Sequence, residues 1–164
     1  MKFKGLNVLQ IVGPKNAGKT MHAEWLISGL KERGLRVGAL KHSSHPHPID
    51  RPGSDSFRLQ KAGASPTVFY SANSMGIFYP SIDEKEADRL LAAAFKEVDL
   101  VIVESFNTAN GPKIVLDEDG HQWKHFTQVI AVISETALPT DLPLFKKFDE
   151  RLIDFVIQYF HLKR

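Results

Sequence analysis

Residues 13–20 read Gly-Pro-Lys-Asn-Ala-Gly-Lys-Thr, a G-x-x-x-x-G-K-[ST] run. It is lodged between the apolar segment Leu6 to Val12 and a stretch in which Ala23, Leu26, Ile27 and Leu30 recur at the spacing of one helix face. No other feature limits the fold as sharply. A strand that turns through a glycine-rich loop directly into a helix aims backbone N–H groups and the positive end of the helix dipole at one point, which is the geometry of a phosphate cradle. A chain organised around such a loop is α/β, and 164 residues give room for one domain spanning residues 1–164.

Each position of the loop has a chemical reason. The N–H groups of Asn16, Ala17, Gly18, Lys19 and Thr20 are expected to curl around the α and β phosphates of a nucleotide, with Gly13 and Met21 completing the candidate binding set. Gly18 lets the backbone approach the ligand closely. Lys19 is a candidate catalytic cation for the β and γ phosphates, and the Thr20 hydroxyl is placed to hold Mg²⁺.

Downstream, strand and helix signals alternate. Gly34 ends the first helix, and Leu35 to Leu40 reads as a second strand. Ser43 to Gly53 is a loop, and Ser54 or Asp55 caps a short helix ending at Gly63. Thr67 to Tyr70 and Gly76 to Tyr79 flank a Ser-Ala-Asn-Ser turn and predict a hairpin. Ala87, Leu90, Leu91, Ala94, Phe95 and Val98 form an amphipathic helix capped by Ser81 or Asp83. Leu100 to Val103 and Val129 to Ile133 are continuously apolar, as strands covered on both faces are. Lys113 to Leu116 and His121 to Trp123 bracket an acidic turn and predict a second hairpin. A final helix carries Leu152, Ile153, Val156, Ile157 and Phe160. The expected architecture is P-loop NTPase-like: a mostly parallel sheet flanked by helices, with added antiparallel hairpins.

A phosphate cradle needs an acid near its metal, at the carboxyl end of a neighbouring buried strand. Glu104, following Leu100 to Val103, is that acid, a candidate metal ligand and catalytic residue. Asp50 and Asp55, after the second strand, are placed to reach the metal or γ-phosphate, with Asp55 ranking second to Glu104 as a catalytic candidate; the alternatives are a turn acid for Asp50 and a helix cap for Asp55. Asp99, at the opposite end of the same strand, reads as structural. Lys41 and His42 leave the second strand on the same rim as the P-loop and, with His45, are candidates to meet an anionic ligand or a partner. A metal site on His42, His45 and His47 is the competing reading, weakened by the missing fourth ligand. Asn107-Thr108-Ala109-Asn110 lacks the Lys and Asp of the usual guanine-reading signature, so guanine and adenine stay undistinguished.

Composition narrows the partners. Twenty-one basic against 19 acidic residues leave a net charge of +2, too balanced for a dedicated nucleic-acid binder. The absence of cysteine excludes disulfide scaffolds and thiol catalysis and fits a reducing compartment. No export signal or membrane-length apolar run is seen, so a cytoplasmic location without nucleic-acid or membrane partners is expected.

Taken together, several motifs resemble the molybdopterin-guanine dinucleotide biosynthesis protein B family, MobB. They are Gly13 to Thr20, Lys41-His42 with His45, Asp50 with Pro52-Gly53-Ser54-Asp55-Ser56 and Arg58, Ala62-Gly63-Ala64, Asp99 to Glu104, and Pro112-Lys113-Ile114. Ala131 to Ser134 and Leu142 to Phe145 extend the likeness over nearly the whole chain. The P-loop is widely shared, whereas the Lys-His-x-x-His loop followed by Pro-Gly-x-Asp-Ser is selective. The resemblance implies a Mg²⁺-dependent GTP-binding homodimer with weak GTPase activity that assists the guanylyltransferase joining GMP to molybdopterin, and it leaves direct contact with molybdopterin open. This chain has Glu104-Ser105-Phe106-Asn107 where the family usually has Glu-Gly-Phe/Tyr-Lys, which implies weaker or differently switched hydrolysis. A metallochaperone GTPase using the His loop, a small kinase, or a nucleotide-binding structural partner without turnover are the alternatives.

Overall fold

Five consecutive apolar-dominated residues in β1 (Val8–Val12) are all buried, and so are the first four of β5 (Leu100–Glu104) and all of β6 (Lys113–Leu116). Strands buried along their whole length belong at the centre of a parallel sheet covered on both faces. A computed structural model describes residues 5–43, 50–104 and 110–163. His45, His47, Ser105 and Asn107 lie outside the described residues. The remaining elements are α1 (Lys19–Glu32), β2 (Val37–Lys41), α2 (Asp55–Lys61), β3 (Thr67–Tyr70), β4 (Met75–Phe78), α3 (Glu84–Ala94), β7 (Val129–Ile133), β8 (Leu144–Phe145) and α4 (Arg151–Tyr159), with a short 3-10 helix at Gln122–His125. The chain divides into two compact units, one made of Met1–His42 with Asp88–Arg164 and the other of Ser43–Ala87.

In the first unit six parallel strands lie in the order β2-β5-β1-β6-β7-β8. β1 is therefore an inner strand, and the loop that leaves it opens near the middle of the carboxyl edge. Side-chain alternation separates the two faces. Leu9, Ile11, Leu100, Ile102, Ile114 and Ile133 pack with Leu26 and Leu30 of α1 and Leu152, Ile153 and Val156 of α4. Val8, Val101 and Val103 point the other way, against Phe95 and Val98 beyond α3. Two glycines make these close approaches workable. A Cβ on Gly38 would meet the Phe95 ring at 2.7 Å, and one on Gly29 would collide with Ile153. Asp99 has the structural role expected of it, accepting the Arg36 backbone N–H at 2.7 Å and the guanidinium at 3.2 Å.

In the second unit Ser54, not Asp55, caps α2 by accepting the Phe57 N–H at 3.1 Å. β3 and β4 pair antiparallel from Thr67↔Phe78 to Tyr70↔Met75. Their hairpin leaves Phe69, Tyr70, Met75 and Ile77 exposed. Asp83, not Ser81, caps α3 by accepting the Glu86 N–H at 2.9 Å.

The expectation of a second hairpin is overturned. Residues 121–123 belong to no strand, and β6 pairs in parallel with β7. The reason is Asp117, whose carboxylate collects the N–H groups of Asp119, Gly120 and Trp123 at 2.8–3.1 Å and so winds the chain into a loop instead of turning it back. The edge strand β8, two residues long, carries no pattern that a sequence reading could have detected. Among the described residues no helix is long and apolar enough to cross a membrane.

Candidate functional site

The loop between β1 and α1 takes its shape from two left-handed residues, Asn16 at φ 64° and Gly18 at φ 86°. Asparagine is among the few side chains that tolerate that region, and glycine enters it freely. Gly18 precedes α1, and among the described residues no side chain caps this helix and no acid occupies its first turn. Its leading N–H groups and dipole thus face the loop interior uncompensated. Gly13 is required for another reason. At φ 149° a Cβ would stand 2.8 Å from the Leu116 carbonyl oxygen of β6. Gly13→Ala should therefore destabilise the protein by at least about 2 kcal/mol, from backbone strain and overpacking together. Denaturant unfolding measures this, and a variant within about 0.5 kcal/mol of the parent would show that β6 can yield.

The loop, Lys41 and Glu104 enclose a cavity of about 700 Å³ lined by Gly13, Lys15, Asn16, Gly18, Lys19, Thr20, Met21, Lys41 and Glu104. Lys19 Nζ donates to the carbonyls of Gly13 at 3.0 Å and Pro14 at 2.6 Å. Burial lowers its affinity for the proton, an effect that Glu104 opposes and Lys41 reinforces. Thr20 Oγ1 donates to Glu104 Oε1 at 3.0 Å, and Lys41 Nζ makes a short ion pair with the same oxygen. A hydroxyl and a carboxylate side by side are hard oxygen donors that suit Mg²⁺. Thr20 and Glu104 would hold that ion, whose chemistry there is to neutralise charge on a polyphosphate.

Beyond the loop lies a second cavity of about 280 Å³ that shares Lys15 and Asn16 with the first and adds Ala17, Glu118, Asp119, Gln122 and Lys147. Glu118 builds its wall by stitching three strand ends together. The carboxylate accepts Lys147 Nζ at 2.6 Å, the Glu135 N–H at 3.0 Å and the Ser134 hydroxyl at 3.3 Å. Lys147 and the Glu135 N–H chiefly hold the Glu118 carboxyl below the ordinary range.

Of the candidate residues, Gly13, Asn16, Gly18, Lys19, Thr20, Met21, Lys41 and Glu104 are brought around one cavity, and Ala17 lines its neighbour. The backbone N–H of His42 donates to the Glu104 carbonyl at 3.1 Å, which places His42 beside the end of β5. Asp50 and Asp55 belong to the other unit. There Asp50 accepts from Ser54 Oγ at 3.1 Å and Gln60 Nε2 at 3.0 Å, and Asp55, almost fully exposed, stands 3.7 Å from Arg58.

The family model for molybdopterin guanine dinucleotide synthesis protein B matches residues 8–135, which take in the P-loop, β5 with Glu104, and the Glu118 turn. The molybdopterin-guanine dinucleotide biosynthesis adapter protein of Escherichia coli K12 is 38% identical over 151 residues, covering 87% of this chain and 86% of that one. This chain belongs to the MobB family. The corresponding adapter protein of Haemophilus influenzae is 33% identical, covering 90% of this chain and 80% of its own. The crystal structure of Bacillus subtilis MobB superposes with a TM-score of 0.76 at 29% identity, covering 96% of this chain and 99% of that one.

Three buried polar residues of this MobB chain escape a reading of the sequence by itself. His22, 3% exposed, has Nδ1 3.0 Å from the Gly18 carbonyl oxygen and stacks on Phe148 with ring centroids 4.6 Å apart. It braces the loop from one turn inside α1. Gln10, fully buried in β1, donates to the Asn110 carbonyl at 3.1 Å. Lys113 donates to the Gly111 carbonyl at 3.1 Å, and burial lowers its proton affinity. Together Gln10 and Lys113 pin the chain where it re-enters the sheet after β5. For Gln10 and Lys113 the signal in the sequence is a polar residue beside apolar strand positions, which announces a buried partner without saying which.

Proposed function

We propose that this chain binds GTP with Mg²⁺ at the P-loop, hydrolyses it slowly, and acts as a homodimeric adapter for the guanylyltransferase that attaches GMP to molybdopterin. The observation that carries this reading is the open cavity in which Lys19, Thr20 and Glu104 meet an uncapped helix N-terminus, in a chain of the MobB family. Cations and N–H groups there await a polyanion. We assign the base to the second cavity, which shares Lys15 and Asn16 with the first. Its exposed carboxylate, Asp119, suits guanine, whose N1–H and exocyclic N2–H₂ both donate, better than adenine, whose ring N1 accepts. Self-association is supported by the exposed apolar side chains of the β3–β4 hairpin, an apolar surface of the kind that second copies cover.

Titration calorimetry with Mg²⁺ should give tighter binding of GTP than of ATP, with the preference narrowed by Asp119→Asn. Addition of the protein to purified guanylyltransferase with molybdopterin and GTP should raise guanylation. Equal affinity for the two nucleotides would remove the guanine assignment. Unchanged guanylation at saturating protein would remove the adapter role.

A further inference from the structure

We propose that Lys41 is a built-in counter-ion to Glu104 that is displaced when a metal-bound nucleoside triphosphate loads, and that it then pairs with the terminal phosphate, so that the site distinguishes triphosphate from diphosphate. This rests on the nucleotide reading above and adds to it a device that senses the third phosphate.

The strand register puts the device in place. Lys41 ends β2 directly beside Glu104, which ends β5. The backbone therefore delivers the ammonium to the carboxylate. Lys41 Nζ and Thr20 Oγ1 converge on one oxygen, Oε1 of Glu104, so the ammonium sits on the carboxylate that would help Thr20 hold a divalent cation. An ammonium and a metal ion cannot share that position, because like charges at contact distance repel strongly where little water intervenes.

The two partners differ in freedom. The Glu104 side chain is only 12% exposed, whereas that of Lys41 is 60% exposed and held at its tip, so the lysine is the member that can swing away. Once it leaves, its charge faces a cavity that already contains Lys15 and Lys19. Lys19 itself donates to the Gly13 and Pro14 carbonyls. Three ammonium groups around one cavity favour a ligand with matching negative charge. A terminal phosphate supplies it, and a diphosphate, one phosphate shorter, supplies less.

The test uses Lys41→Met, with Lys41→Arg as the charge-preserving companion. Titration with Mn²⁺ alone, followed by electron paramagnetic resonance, should show metal binding about three- to tenfold tighter in Lys41→Met, since a competing cation is gone. Calorimetry with GTP and GDP in Mg²⁺ should show the ratio of their affinities falling about tenfold in Lys41→Met, the worth of one charge-assisted phosphate contact, and staying near the parent value in Lys41→Arg. If the parent binds GTP but Lys41→Met changes neither Mn²⁺ affinity nor the ratio, the role of Lys41 is overturned and the nucleotide reading stands. If the parent binds neither nucleotide, both fall together.

Discussion

Lys19→Ala is expected to weaken nucleoside triphosphate binding about ten- to a hundredfold while leaving the melting temperature close to that of the parent. The Lys19 ammonium rests on two carbonyls of its own loop, Gly13 and Pro14, and buries no apolar surface that the core depends on. Its energetic value lies in the ligand. A charge-assisted contact to phosphate is worth about 1.5 to 3 kcal/mol, which is the stated loss of affinity. The departure of the partly buried cation also removes its burial cost and a repulsion with Lys41, which offset the lost attraction to Glu104, so the fold loses little. Calorimetric titration with Mg²⁺ and GTP measures the first part, and a thermal melt the second. Unchanged affinity would detach the loop from phosphate binding altogether.

Asp117→Asn should do the reverse, costing stability with little direct effect on phosphate contacts. The carboxylate is buried, which alone would favour its neutral form, but the N–H groups of Trp123, Gly120, Asp119 and Gln122 outweigh burial and hold the group below its ordinary range. An amide keeps one acceptor oxygen and turns an NH₂ toward N–H donors, so at neutral pH the variant should lose about 1.5 to 3 kcal/mol, or roughly 4 to 10 °C of melting temperature for a chain of this size. The sign of the pH effect comes from the direction of the shift. A carboxyl whose folded value lies below its unfolded one, about 3.9, contributes fully above that value and loses its contribution as the pH falls through it toward the lower folded value. Asp99, Glu118 and Asp149 are shifted in the same direction. Parent stability should therefore fall steeply below about pH 4, and Asp117→Asn should flatten that limb. A variant with the parent's melting temperature and acid limb would deny Asp117 its structural role.

What could be read in the sequence was local. The P-loop, the apolar strands at 100–103 and 129–133, the first hairpin and the terminal helix each depend on residue type and spacing within a short window, and the observed elements match them within a residue or two. Glu104 was legible because an acid after four apolar residues marks a strand end. What escaped depends on distant partners. His22 rests on Phe148, 126 positions later, and Gln10 on Asn110, 100 positions later, which no window contains. The strand expected at 121–123 is absent because Asp117 is more than a turn residue. As a buried acceptor for several N–H groups, it dictates the path of the chain as far as Trp123.

The second cavity and the phosphate cradle have two lining residues in common, Lys15 and Asn16, and Asn16 is among the few non-glycine residues held in a left-handed conformation. Two residues that line both spaces, one of them with so constrained a backbone, cannot move for one occupant without changing what the other meets. Whatever occupies the two spaces will be felt as a single object, and substitutions at Asn16 should alter preferences on both sides in concert.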